Sequence, residues 1–555
     1  MPRLPRRLRL VFLLPVLALL AAAVPSRAAE APSRPDWTSK TVMVEMGDGA
    51  HLATDVVLPP AGDGPWPVIL GRTPYGRSQH GAPQMAAMLG YAAVSQDMRG
   101  RFDSEGANLP FIGCGWVDYR DGAETVEWIR RQPWSDGKVG TLGGSAGGIT
   151  QNLLAAAVPE GLVCQYIVVA AANLYTDAAY PGGALRKEQI ENWTRGNKFD
   201  AKAMEVWRAH PAFDEYWHRF DSTRRHDRMT CPAVHVGGWF DTFSQGTIDA
   251  FVGRQTRGAE GARGTQKLVM GPWTHGGMNR GRQGALTFPG AKPPPQYDML
   301  LWFAHYLKGE DNAAAGAPPV AYYTMGDCDD PDAPGNAWRF AKAWPVPAEA
   351  TPAYFHADGS LSREKPAGQG DASCVYTFDP AKPCPTLGGR NLTIPAGPRD
   401  QRKVEERDDV LTFTSRPLDE PVEVTGRLRA RVFVASDARD TDLSVRLSDV
   451  YPDGRSMLIA DGILRLRYRE SLSEPVLLEP GKVYEVEVDL WSTSLVFNKG
   501  HCVRVAVTSS NHPRFDLNPG TGEPWTSTEK RVPQTNRVYC DAARPSCIIL
   551  PVVEK

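Results

Sequence analysis

Residues 139–159 read VGTLGGSAGGITQNLLAAAVP, with Ser145 at the centre. Residues 139–142 form a short apolar strand, Gly143-Gly144-Ser145-Ala146-Gly147 turns the chain, and an apolar-rich helix follows until Pro159 stops it. This strand, turn and helix constrain the fold more than any other stretch. Such a turn forces its serine into a strained backbone conformation with the hydroxyl exposed above a sheet. Glycine stands on both sides because side chains there would collide with the neighbouring strand and helix. The helix start aims backbone N–H groups at negative charge developing beside Ser145. Alone, the pattern does not decide between readings: with 53 glycines in 555 residues, a chance G-x-S-x-G arises in roughly one such chain in several. A plain Gly-rich turn is the competing reading.

The surrounding pattern favours an open sheet. Residues 67–70 and 91–95 read as buried strands, and Asp121 opens a helix with Glu124 as a capping-box partner. Alternating strands and helices argue an α/β unit with a mostly parallel sheet and helices on both faces. Residues 159–230 turn helical, charged and aromatic (Trp193, Trp207, Tyr216, Trp217), which reads as an inserted cap. Buried strands return at 233–236 and 268–270, and a helix at 298–308 ends at Gly309. From about 346 the period becomes two. Leu428, Ala430, Val432 and Val434 alternate with Arg427, Arg429 and Arg431, and Val486, Val488 and Leu490 with Glu485, Glu487 and Asp489. That is the pattern of half-buried antiparallel strands in a β-sandwich.

Arg3, Arg6, Arg7 and Arg9, the apolar stretch 10–24 and Ser26-Arg27-Ala28 describe a signal peptide over residues 1–28. The stretch is short for a membrane span, so the mature chain is expected to be exported, periplasmic or extracellular, with no membrane association after signal removal. Nine cysteines in 555 residues make no disulfide scaffold. Cys374/Cys384 and Cys540/Cys547 lie close enough in sequence to bridge. No Cys-x-x-Cys or His/Cys cluster has zinc spacing, so neither metal nor cofactor is expected. A net charge of −2 without a long basic run argues against nucleic acid as a partner.

A serine hydroxyl needs an adjacent base, itself oriented by a carboxylate, and on an open sheet these groups sit past strand ends. After strand 233–236 comes Gly237-Gly238-Trp239-Phe240-Asp241; after 268–270 comes Gly271-Pro272-Trp273-Thr274-His275. By itself Asp241 reads equally as a helix N-cap and His275 as a satisfied loop histidine. Together with Ser145 they fall in Gly-rich turns in the chain order Ser, Asp, His of the α/β-hydrolase arrangement. The Ala146 N–H stands where one oxyanion donor is needed. Tyr75, in the loop after strand 67–70, reads from the residues alone as a packed aromatic.

Arg72-Thr73-Pro74-Tyr75-Gly76, Gln96-Asp97-Met98-Arg99-Gly100, Gly143-Gly144-Ser145-Ala146-Gly147, Gly238-Trp239-Phe240-Asp241 and Gly271-Pro272-Trp273-Thr274-His275 together resemble the X-Pro dipeptidyl-peptidase-like hydrolases, in their cocaine esterase branch. Thr441-Asp442-Leu443-Ser444-Val445, Asp461-Gly462-Ile463-Leu464-Arg465 and residues 509–516 resemble that family's C-terminal jelly-roll domain. The resemblance implies an α/β-hydrolase domain (36–158 and 231–345), a helical cap (159–230) and a jelly-roll β-sandwich (346–555). It implies a triad of Ser145, Asp241 and His275, and an oxyanion hole of Tyr75 and Ala146, which gives Tyr75 a catalytic role. Ala146 departs from the aromatic common at that position, which changes the pocket wall beside the nucleophile. Arg99 is expected to brace the loop before a helix.

The expected function is hydrolysis of a small-molecule ester or amide, or of a short peptide, through an acyl-enzyme. X-Pro dipeptidyl-peptidase or α-amino-acid ester hydrolase activity is the alternative, and a non-catalytic binding protein a remote one. An α-ammonium substrate needs a carboxylate near the triad. Asp241 is followed by Thr242-Phe243-Ser244, which leaves Asp177 as the nearest acidic candidate in the cap. Trp193, Trp207 and Trp217 are expected to divide between cap core and an apolar substrate wall. Homo-oligomerisation stays open.

Overall fold

The computed structural model describes residues 39–79, 82–367, 370–523 and 530–554; the expected signal segment 1–28 lies outside them. Eight strands, β1 (Ser39–Glu45), β2 (His51–Val57), β3 (Trp66–Thr73), β4 (Ala92–Asp97), β5 (Ser135–Gly144), β6 (Leu162–Val168), β7 (Ala233–Phe240) and β8 (Lys267–Thr274), join Val320–Thr324 and Ala337–Ala341 in a ten-stranded sheet. The order is β1-β2-β4-β3-β5-β6-β7-β8, then the last two strands. From β4 to Val320–Thr324 every pairing is parallel; the outer pairings are antiparallel. Burial on both faces explains why β4 and β7 are buried at every residue and carry no alternation.

The expected start of the cap at residue 159 needs correction. Leu162–Val168 is a central strand, paired parallel with β5 and β7, so the insertion begins after Val168. A seven-residue apolar strand next to an aromatic, charged segment had merged with it in the sequence pattern. Beyond it lie the helices Lys187–Gly196, Lys202–Ala209 and Glu215–His218, packed around buried Tyr175, Tyr180, Trp207 and Trp217. A second correction concerns the helix Asp121–Arg130. Its first residue makes no side-chain cap, and the buried Asp121 carboxylate instead receives Arg99 at 2.7 Å. Arg99 also reaches Asp48 at 2.8 Å, tying the loop after β4 to that helix and to the β1–β2 turn.

The C-terminal part contains two antiparallel sheets, one built on Val422–Ser436 and Tyr484–Phe497, the other on Asp442–Val450 with Ser456–Arg465 and Cys502–Thr508. Leu428, Ala430 and Val432 point inward. Between them Arg429 and Arg431 face Glu487 and Glu485 at 3.4 Å each, a cross-strand ladder. One apolar core runs through both parts: Trp239, Phe240 and Met270 pack in the same cluster as Val424, Leu428, Leu490 and Leu495. All nine cysteines are thiols. Cys374 packs against the main core whereas Cys384 belongs to a separate cluster with Val404 and Val410, and Cys540 and Cys547 are likewise unbridged.

Candidate active site

Ser145 has φ 56° and ψ −123°, a left-handed conformation that costs a non-glycine residue strain of order 1–3 kcal/mol. Its N–H donates to Val168 O at 2.9 Å, and the helix Ala146–Ala157 starts immediately after it. The crowding that demands glycine falls partly outside the motif. A Cβ on Gly143 would lie 2.7 Å from Gly147 O, and one on Gly148 2.7 Å from Ala170 Cβ. A Cβ on Gly147 would meet nothing nearer than Arg72 O at 3.5 Å, so the expected collision at that glycine is absent.

The ends of β7 and β8 converge. A Cβ on Gly238 would sit 2.2 Å from Trp273 O, so only glycine lets the two backbones meet there. Just beyond this contact the strands release Asp241 and His275. The Asp241 carboxylate is fully buried; one oxygen accepts from Phe243 N at 2.7 Å and the other lies 2.6 Å from His275 Nδ1. The N-cap-like reading and the base-orienting one therefore describe different oxygens of one carboxylate. His275 Nε2 lies 2.8 Å from Ser145 Oγ. With Nδ1–H donated to the carboxylate, Nε2 is left to accept the serine proton. The His275 loop is held by Gln283, whose side chain accepts from Thr274 N at 2.9 Å and donates to Gly277 O at 2.8 Å.

Tyr75 follows β3, its N–H held by Thr73 Oγ1 at 3.0 Å and its hydroxyl accepting from Trp193 Nε1 at 3.0 Å. Trp193 shares the wall of one pocket with Ser145, Ala146, Phe111, Ile149, Leu174, Trp207, Phe243 and Leu392. Gln189 is a polar member of this wall, and among the described residues no carboxylate lines it. Trp217 is core, fully buried behind Trp207. Asp177 is spent elsewhere: its oxygens accept from Ala172 N, Asn173 N and Thr176 Oγ1, each at 2.9 Å. Burial pushes its carboxyl above the ordinary carboxylate value, against those three donors. Among the described residues no group of His, Cys, Asp or Glu is placed to hold a metal ion, and no helix is long and apolar enough to cross a membrane.

Residues 48–204 and 195–277 match the family model for X-Pro dipeptidyl-peptidase (S15 family), and residues 312–549 that for the X-Pro dipeptidyl-peptidase C-terminal non-catalytic domain. The chain is 35% identical to the cocaine esterase of Rhodococcus sp. (strain MB1 Bresler), covering 93% of this chain and 99% of that one. It belongs to the S15 X-Pro dipeptidyl-peptidase family. Like its relatives, this S15 chain is a serine hydrolase with an α/β-hydrolase fold and a C-terminal β domain. It is similar in structure to an aminopeptidase from the marine sediment archaeon Thaumarchaeota archaeon (TM-score 0.82, 26% identity, 96% of this chain and 99% of that one). It is also similar to an α-amino acid ester hydrolase (TM-score 0.78, 27% identity, 95% and 98%).

Three residues of this S15 site, Gln283, Leu392 and Arg390, and the contact of Trp193 to Tyr75 carry no signal in the sequence pattern. Gln283 and the Trp193 contact act through hydrogen bonds across loops, which leave no periodic trace. Leu392 and Arg390 come from the C-terminal half, where composition pointed only to β-strands. Arg390 is buried and donates to Trp239 O at 3.0 Å, bracing the strand end that precedes Asp241.

Proposed function

We propose that this S15-family chain is an exported esterase that cleaves uncharged carboxylic esters through an acyl-enzyme on Ser145. The observation that carries the reading is the pair of contacts at His275, 2.8 Å to Ser145 Oγ and 2.6 Å to the Asp241 carboxylate. Ser145 Oγ attacks the ester carbonyl as its proton passes to His275 Nε2, and the buried Asp241 stabilises the imidazolium. The tetrahedral oxyanion takes hydrogen bonds from the Ala146 N–H, first in its helix and so without a carbonyl one turn back, and from the Tyr75 hydroxyl. His275 returns the proton to the leaving alcohol. A water then attacks the acyl-enzyme, its proton going to His275, and the same steps in reverse release the acid and restore Ser145.

Substrate class follows from the pocket. An α-ammonium group desolvated beside Ser145 needs a carboxylate, and a buried unpaired cation costs several kcal/mol. The wall offers Trp193, Trp207, Phe243 and Leu392 and, among the described residues, no acid, and Asp177 already accepts three hydrogen bonds elsewhere. Peptidase or α-amino ester activity remains the second reading, supported by the likeness to the archaeal aminopeptidase and the α-amino acid ester hydrolase. Residues 1–28 supply the export signal.

Ser145→Ala should abolish labelling by a fluorophosphonate probe and lower kcat by several orders of magnitude with an unchanged melting temperature; turnover near the wild-type rate removes the nucleophile assignment. On side-by-side substrates, kcat/KM for p-nitrophenyl butyrate or benzoate should exceed that for Ala-Pro-p-nitroanilide and for phenylglycine methyl ester. The reverse order would assign the site to substrates with a free amino group.

A further inference from the structure

We propose that Trp193 is a positioning residue, whose indole N–H fixes the Tyr75 hydroxyl so that its proton is free for the oxyanion. The inference rests on the role given to Tyr75 above. An indole nitrogen only donates, so at the 3.0 Å contact between Trp193 Nε1 and Tyr75 Oη the phenol oxygen must be the acceptor. The Tyr75 proton therefore cannot be given to Trp193. Among the described residues the hydroxyl makes no other side-chain or backbone hydrogen bond. A half-buried phenol with its acceptor side filled and its donor side unspent stands beside the pocket that contains Ser145.

The neighbours hold this arrangement in place. Ile190 and Trp193, one turn apart on Lys187–Gly196, both face the Ser145 pocket. The indole lies flat against Phe111 (centroids 5.7 Å, planes 2° apart) and contacts Phe199 at 4.8 Å. The Arg101 guanidinium lies over the Phe199 ring, 4.3 Å from its centroid. Its guanidinium donates to Pro74 O at 3.0 Å, one residue before Tyr75, and to Lys198 O at 3.2 Å, just past the helix that bears Trp193. One side chain thus clamps the tyrosine loop to the tryptophan helix, and the Tyr–Trp distance does not depend on two independently moving loops.

The contact acts chiefly in the transition state. When Tyr75 donates to an oxyanion, negative charge shifts onto its oxygen, and a hydrogen bond arriving from Trp193 stabilises that shift. An interaction stronger in the transition state than in the bound substrate appears in kcat and leaves KM nearly unchanged.

The test removes the N–H while keeping the ring. Trp193→Phe, and Trp193 replaced by the isosteric benzothienylalanine, are assayed on p-nitrophenyl butyrate beside Tyr75→Phe and the Tyr75→Phe/Trp193→Phe pair. Tyr75→Phe should lower kcat by about 10²–10³. Each Trp193 replacement should lower kcat about tenfold with KM within a few-fold. The kcat of the double variant should be no lower than that of Tyr75→Phe alone, because the indole N–H acts only through that hydroxyl. Wild-type kcat in the benzothienylalanine protein, or losses that multiply in the double variant, would overturn the proposal while leaving the tyrosine role intact. Wild-type kcat in Tyr75→Phe would remove the tyrosine role and this proposal together, and the Ser145→Ala result stays independent of both. The isostere keeps the question answerable should Trp193→Phe fail to fold.

Discussion

Gly147 and Gly148 look interchangeable in the sequence and are not interchangeable in space. Gly148 presses on Ala170 Cβ and, at 3.0 Å from its missing methyl, on Val168 O, the carbonyl that accepts the Ser145 N–H. A methyl there must push the helix off the strand whose carbonyl holds the Ser145 N–H. Gly148→Ala should cost about 1–3 kcal/mol and lower kcat as well, while Gly147→Ala should leave the melting temperature within about a degree of wild type. Thermal melts of the two proteins decide it, and equal losses would show that the elbow tolerates neither methyl. At this scale the sequence was legible where chemistry repeats a spacing. Ser145, Asp241 and His275 were readable from strand ends and chain order, and they meet at hydrogen-bonding distance. Tyr75 was not readable from its residue type, because a hydroxyl's role depends on what stands within 3 Å of it, and Trp193 comes from a helix more than a hundred residues later.

Elements were legible in proportion to their periodicity. The alternation in Val422–Ser436 marked inward and outward faces correctly for Leu428 through Val434. The register slip between Leu428 and Arg429 left no mark, because a bulge changes pairing without changing composition. Strand β6 was lost for a different reason: it is buried in a parallel sheet, has no polar face to alternate, and adjoins the cap directly. Element-level electrostatics give a test on the strand Ser456–Arg465. Asp461 is buried there, against Arg514 and 3.7 Å from Arg390. Burial pushes its carboxyl up, but the two guanidiniums outweigh burial and hold it below the ordinary carboxylate value. A carboxyl whose folded pKa is depressed contributes stability above its unfolded value, about 3.9, and that contribution is lost as pH falls through the lower folded value. Wild-type stability should therefore drop more steeply below about pH 4 than that of Asp461→Asn, which starts lower at neutral pH but has no proton to gain. Denaturant midpoints between pH 6 and 3 measure the two slopes; parallel acid limbs would mean that Asp461 titrates alike in folded and unfolded chains.

Across the whole molecule, the C-terminal half is built into the site. Leu392 completes the wall around Ser145, and Ser492 is bonded through N and Oγ to Gln245 at 3.0 and 2.9 Å, in the helix that follows Asp241. Arg390 joins the halves most directly. Besides Trp239 O, its guanidinium donates to Leu490 O at 3.1 Å, Asp461 O at 3.2 Å and Ser492 O at 3.2 Å. Burial pushes its pKa down to about 10, with Asp461 as counterion, so it remains a cation at neutral pH. Because the apolar core crosses this junction without a break, both halves should unfold in one transition, reported alike by calorimetry, far-ultraviolet circular dichroism and tryptophan fluorescence. Arg390→Met keeps the apolar stem and deletes the donors, leaving four carbonyls short of a partner and Asp461 with one fewer countercharge. The loss should be about 3 kcal/mol or more. Trp239 lies only two residues before Asp241, so a loosened strand end displaces the carboxylate that orients His275, and kcat should fall with stability while KM changes little. If Arg390→Met melts early yet turns over at the wild-type rate below its transition, the β half supports folding alone and the His275–Asp241 contact is set entirely by the convergence of β7 and β8.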